Sequence, residues 1–129
     1  MENNDQLDLG IGGVLMKSLP KPLYRTHFGE AYLGDALDLL KCLSDESIDL
    51  IMTSPPFALQ RQKEYGNVDQ DEYVDWLLSF TIEVKRVLKK TGSFVLDLGG
   101  AYRRERPVRS LYNYRILIRL CDEQGWNLA

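Results

Sequence analysis

The run Ser47-Ile48-Asp49-Leu50-Ile51-Met52-Thr53 passes directly into Ser54-Pro55-Pro56-Phe57, and that junction limits what the chain can fold into. Apolar residues on both faces of Ile48 to Thr53 predict a strand covered on each side, as in a parallel sheet flanked by helices. Neither proline carries an N–H, so the hydrogen-bond ladder ends there. Each proline also drives the residue before it into an extended conformation, which stiffens Ser54 and Pro55. The product is a rigid strand tip offering carbonyl oxygens without a competing donor. In open α/β sheets, ligands bind at such carboxyl ends.

The flanking text alternates strand and helix patterns and predicts an α/β fold. Upstream, Ala31-Tyr32-Leu33-Gly34-Asp35 reads as a short strand turning into a helix over 36–43, with Asp35 as its N-cap. Ser44-Asp45-Glu46-Ser47 then turns the chain. Downstream, the polar segment Ala58 to Asp71 carries Arg61 and Lys63. A helix follows, with Tyr73, Trp76, Leu77, Phe80, Val84, Val87 and Leu88 at spacings of three and four. That stripe assigns Trp76 and Phe80 to the core rather than to base stacking. Lys89 and Lys90 suit the helix C-terminus, and Thr91-Gly92 stops it.

Ser93 to Leu98 is a second buried strand, closed by Gly99-Gly100, and it places Asp97 at its end. Strand, helix and strand imply a parallel crossover, with a third parallel strand near Tyr32. Tyr102 to Arg109 is a loop with Arg103, Arg104, Arg106 and Arg109, leaving the same sheet edge as Ser-Pro-Pro-Phe. Such a charge cluster is usually just solvated; at this edge its cations would meet phosphates. Ser110 then caps a last helix whose inward face is read as Leu111, Tyr114, Leu117, Ile118 and Cys121. Gly125 ends it, and Trp126 to Ala129 reads as the opening of another strand.

With 129 residues, 44% of them hydrophobic, the chain is sized for one modest domain or a piece of one. A net charge of −3 argues against a protein that coats nucleic acid, though not against an enzyme with a local basic rim. Cys42 and Cys121 lack metal-ligand spacing and suit a reducing cytosol. No signal peptide or membrane-length apolar run is present, which predicts a cytoplasmic protein. Residues 1–22 are polar, glycine-rich and broken by prolines, and read as a flexible leader. Within them Gly10-Ile11-Gly12-Gly13 imitates a nucleotide-binding glycine loop, but no apolar strand precedes it. His27 falls in a connecting segment with nothing to pair with it.

Thr53-Ser54-Pro55-Pro56-Phe57 resembles the catalytic motif of the DNA amino-methyltransferases, in which Asp, Asn or Ser precedes Pro-Pro and an aromatic. The Ser form is similar to the branch that methylates the N4 amine of cytosine. The text from Tyr32-Leu33-Gly34-Asp35 through Gly92-Ser93-Phe94-Val95-Leu96-Asp97 is similar to type II modification methylases of the PvuII kind. The resemblance covers residues 23–129, the N-terminal catalytic part of such an enzyme. It implies the Rossmann-like three-layer sandwich of the S-adenosylmethionine-dependent methyltransferases, here with an incomplete parallel sheet. It also implies S-adenosylmethionine as cofactor, double-stranded DNA with a flipped base as substrate, and a partner in the missing C-terminal half. The activity implied is site-specific methylation within a restriction-modification system, absent without that half.

The resemblance also assigns roles. By position, Asp35 would hydrogen-bond the cofactor's adenine amine, a role the same carboxylate could combine with capping. The cytosine amine is a poor nucleophile because its lone pair is delocalised into the ring, so catalysis must accept hydrogen bonds from it. The Pro55 carbonyl, fixed by Pro56, and the Ser54 hydroxyl are the acceptors. Asp97 either orients Ser54 in a relay or merely caps loop amides. Phe57 would stack on the extruded base. Arg61, Lys63, Arg103 and Arg104 would contact DNA phosphates. Ring-carbon methylation would need a cysteine nucleophile, and neither cysteine lies at a strand's carboxyl end. Adenine N6 methylation is the runner-up. A protein-glutamine substrate is disfavoured because that motif carries Asn where Ser54 stands. A non-enzymatic module that binds DNA or a partner is the third possibility.

Overall fold

The computed structural model describes residues 18–56, 70–103 and 106–129. The chain divides into two compact units, Met1–Leu43 and Ser44–Ala129. The imitation loop Gly10 to Gly13 and most of the expected leader lie outside the described residues, as do Phe57, Arg61, Lys63 and Arg104.

The first unit contains an antiparallel pair, β1 (Tyr24–Arg25) with β2 (Glu30–Ala31). Its turn is closed by Thr26, whose N–H donates to the Gly29 carbonyl at 2.8 Å and whose hydroxyl accepts from Phe28 N–H at 3.3 Å. Arg25 and Glu30 add an ion pair at 2.6 Å across the strands. His27 sits in this turn, its ring edge-on to Phe28 at 4.6 Å. The strand expected near Tyr32 is therefore half of a local hairpin and not a member of a parallel sheet. Next comes α1 (Ala36–Leu40), capped as expected: Asp35 Oδ1 accepts from Leu37 N–H at 2.9 Å and Asp38 N–H at 3.2 Å.

The second unit is built on β3 (Ile48–Thr53) and β4 (Leu88–Leu96), which pair in parallel and are connected through α2 (Gln70–Val87). The helix hands over to β4 without a linking residue, so Lys89 to Gly92 belong to the strand instead of the helix end. Register accounts for this. Ile48 pairs with Leu88 and Leu50 with Ser93, so β3 advances two residues while β4 advances five. The surplus folds against the neighbouring strand at Gly92, where a Cβ would lie 3.0 Å from the Lys89 carbonyl and 3.1 Å from those of Ile48 and Asp49.

The last helix is α3 (Tyr112–Gln124), ended by Gly125 at φ 66°. Its buried face is Tyr112, Ile116 and Leu120, packed on Tyr73, Val74, Leu77 and Leu78 of α2. The inward face expected from sequence is the other one: Leu111, Tyr114 and Ile118 are exposed and Leu117 is largely so. Both stripes have helical spacing, and contact with α2 decides between them. Gln124 stitches the helices, donating to the Leu78 carbonyl at 3.0 Å and accepting from Thr81 Oγ1 at 2.8 Å. Arg119 bridges Asp75 and Glu123. Trp76 packs against the core, as expected, with Phe80 beside it at 5.0 Å.

Both helices lie against one face of the strand pair, where Leu96 and Leu98 meet the core and Phe94 meets Trp126. The opposite face carries exposed Leu50, Met52 and Val95. The two-stranded parallel sheet with helices on one side is what the described residues form; the three-layer arrangement expected from sequence exceeds it. Among the described residues, no helix is long and apolar enough to cross a membrane.

Candidate active site

Ser54, Pro55 and Pro56 continue from the carboxyl end of β3, with Ser54 and Pro56 exposed and Pro55 half-buried. Asp97 continues from the carboxyl end of β4. Its backbone N–H donates to the Thr53 carbonyl at 3.0 Å, carrying the parallel ladder one step past the last pair, Thr53 with Leu96. Successive side chains in a strand alternate between faces. Leu50 and Met52 therefore share a face with Ser93 and Val95, the face that the helices leave open.

Ser54 and Asp97, the two residues expected to form a relay, thus each follow the carboxyl end of one of two paired strands. Among the described residues, no hydrogen bond joins the Ser54 hydroxyl to the Asp97 carboxylate. Nor does a donor among the described residues reach the Pro55 carbonyl, in keeping with a proline tip that has no N–H of its own. Asp35 belongs to the other unit. Its Oδ1 takes both cap hydrogen bonds, so its second oxygen stays available for a further donor.

Beyond Asp97, Gly99-Gly100 leads into a closed loop. Tyr102 and Arg109 form an antiparallel bridge, Arg103 N–H donates to the Val108 carbonyl at 2.8 Å, and Ser110 N–H donates to that of Ala101 at 2.7 Å. The arginine segment is thus a short hairpin. Arg103 lies on it and is exposed. Arg109 lies over the Tyr102 ring, 5.6 Å from its centroid, an arrangement that stiffens the hairpin. Among the described residues, no group of His, Cys, Asp and Glu could hold a metal ion.

Sequence reasoning missed Tyr112. It reads as one more apolar helix residue, yet its hydroxyl donates to the Gly99 carbonyl, two residues after Asp97. Tyr73 lies edge-on to it at 5.2 Å and is fully buried, and its own hydroxyl has no partner among the described residues. Burial raises both phenol pKa values above the usual range, and the neighbouring Tyr112 contributes further at Tyr73. Both therefore stay protonated, and Tyr112 remains a donor, at any physiological pH. Only the pairing of tyrosine with a glycine that follows a strand hinted at this.

The family model described as DNA methylase, of N6 and N4 type, matches residues 48–129. Type II methyltransferase M.PvuII of Proteus hauseri is 55% identical over 129 residues, all of this chain and 36% of that protein. M.BamHI of Bacillus amyloliquefaciens is 38% identical over 79 residues, 59% of this chain and 19% of that protein. A solved PvuII DNA methyltransferase, described as cytosine-N4-specific, superposes with a TM-score of 0.63 at 62% identity, covering 73% of this chain and 33% of that one. The chain spans about a third or less of the length of these relatives.

Proposed function

We propose, from the premise that this chain belongs to the N6/N4 DNA methylase family, that residues 23–129 are the N-terminal catalytic portion of a cytosine-N4 DNA methyltransferase. The observation that supports this is the 3.0 Å hydrogen bond from Asp97 N–H to the Thr53 carbonyl, which joins the backbone at Asp97 to the residue before Ser-Pro-Pro. The relative described as cytosine-N4-specific supports the choice of base. A restriction-modification setting and a cytoplasmic location go with this reading.

In the mechanism, the Pro55 carbonyl accepts one hydrogen of the cytosine amine and the Ser54 hydroxyl oxygen accepts the other. Asp97 accepts the Ser54 proton in a hydrogen bond, which turns the serine lone pair toward the amine and raises its basicity. Together they draw the nitrogen lone pair out of the ring and aim it. Phe57 stacks on the extruded base, and Arg61, Lys63, Arg103 and Arg104 hold the backbone phosphates around it. The cofactor implied is S-adenosylmethionine, which supplies the methyl group on a sulfonium. The second oxygen of Asp35, left open by the cap, fits its adenine amine. The exposed face with Leu50, Met52 and Val95 supports a second helical layer there, completing a three-layer sandwich in the whole enzyme.

The test is methylation mapping of plasmid DNA from a methylation-free host expressing the complete gene, C-terminal half included. N4-methylcytosine at one recurrent site is expected. Modified adenines alone would sink the cytosine reading, and unmodified DNA would sink the enzyme.

A further inference from the structure

Two glycines, Gly99 and Gly100, follow closely on Asp97, just past the end of β4 at Leu96, and glycine is the residue that loses most conformational freedom on ordering. Left alone, Gly99-Gly100 would make a loose end just where a carboxylate has to be held. Two contacts hold it. On one side, Asp97 N–H is bonded to the Thr53 carbonyl of β3 at 3.0 Å. On the other, the Gly99 carbonyl accepts from the hydroxyl of Tyr112, which opens α3 and is 1% exposed. Its ring is locked in the core against Tyr73, so the hydroxyl is a fixed point.

We infer that Tyr112 is a positioning residue for Asp97, acting through the Gly99 carbonyl. The inference rests on reading Asp97 as the carboxylate that serves the substrate amine. Tyr112 touches no reacting atom; it restricts where the Asp97 side chain can start from. Tyr73 supplies an internal control. The two tyrosines are both buried and in ring contact, and among the described residues the Tyr73 hydroxyl has no hydrogen-bond partner. Replacing either by Phe keeps the ring, and only at Tyr112 does a hydrogen bond disappear.

Two measurements test this. In the 129-residue chain, hydrogen exchange at the Asp97 amide should quicken about tenfold in Tyr112→Phe, as loss of one hydrogen bond implies, with Leu77 and Ile116 amides unchanged. Tyr73→Phe should leave all three amides as they are. In the product of the complete gene, Tyr112→Phe should lower kcat about tenfold at unchanged KM for DNA, and Tyr73→Phe should not. Unchanged Asp97 exchange, a Tyr73→Phe effect as large, or a uniform quickening of core amides would overturn the clamp. A loss in KM instead of kcat would also overturn it. A wild-type protein that methylates nothing would refute the enzymatic reading, while the exchange experiment would still decide whether Tyr112 fixes Asp97.

Discussion

Asp97 and Thr53 are joined backbone to backbone, N–H to carbonyl at 3.0 Å, one step beyond the last paired residues of β3 and β4. This bond ties the carboxyl ends of the two strands together at the point where the chain leaves them for Ser54 and for Asp97. Precision matters here because orientation contributes to catalysis only when reacting groups start close to their final geometry.

Ser54→Ala and Asp97→Asn should each lower turnover about a hundredfold in the complete enzyme, with little effect on cofactor affinity. The double variant should fall little further, since the two residues act as a unit. Single-turnover kinetics of the four proteins measures this, and additive losses would assign Ser54 and Asp97 separate tasks.

Alkaline titration should divide the seven tyrosines into classes. Tyr73 and Tyr112 have folded-state pKa values raised by burial above the unfolded value of about 10. Their contribution to stability is thus complete below about pH 10 and is lost as pH rises further, because the unfolded chain releases their protons first. Absorbance at tyrosinate wavelengths should show both ionising together with unfolding. Tyr73→Phe, which removes a hydroxyl without a partner among the described residues, should move the alkaline unfolding midpoint upward.

Gly92→Ala should destabilise the fold by about 1–3 kcal/mol, the usual range for forced overpacking. The new methyl would stand 3.0–3.1 Å from three backbone carbonyls, none of which can swing aside as a side chain would. Urea denaturation followed by tryptophan fluorescence is the measurement, and a loss within experimental error would mean that the strands yield.

The chain alone should self-associate through the open sheet face, where Met52 is 70% exposed, Leu50 53% and Val95 44%. Sedimentation at rising concentration should show this, and Met52→Lys with Val95→Lys should restore the monomer. A monomeric wild type would show that another part of the chain covers that face.

Calorimetry of the chain with S-adenosylmethionine should show no micromolar binding. Such affinity requires about 8 kcal/mol, and the one acceptor identified, Asp35, supplies about 0.5–1.5. Micromolar binding would instead turn attention to Gly10 through Gly13.

Much of the site was legible because it rests on local rules. Two prolines end a strand in any context, and the distance from Ile48 to Phe94 leaves room for one helix and a parallel return, which is what the chain makes. Asp35 and Gly125 likewise act on their nearest neighbours. What escaped depends on contacts distant in sequence. Leu111, Tyr114, Leu117 and Ile118 compete with Tyr112, Ile116 and Leu120 as the buried face of α3, and only the surface of α2 chooses between them. Lys89-Lys90-Thr91-Gly92 looks like a helix end, yet it lies within β4, between the pairs Ile48 with Leu88 and Leu50 with Ser93, where Glu46 and Ser47 N–H groups already bond the Arg86 and Val87 carbonyls at 3.0 and 2.8 Å. The Tyr24–Ala31 hairpin hangs on a threonine hydroxyl that no hydrophobic pattern records.

The extra residues of β4 sit at its beginning, between the pairs Ile48 with Leu88 and Leu50 with Ser93. From Ser93 onward the two strands advance in step as far as the Asp97 amide. The slack in the sheet is therefore kept at the end remote from the chemistry. A residue gained or lost around Lys89 to Thr91 leaves the phase of Asp97 against Ser54 untouched. The same change between Phe94 and Leu96 would turn the carboxylate through to the helix side, since one residue of slip reverses every face. Drift in length is absorbed upstream, and the tip keeps its timing.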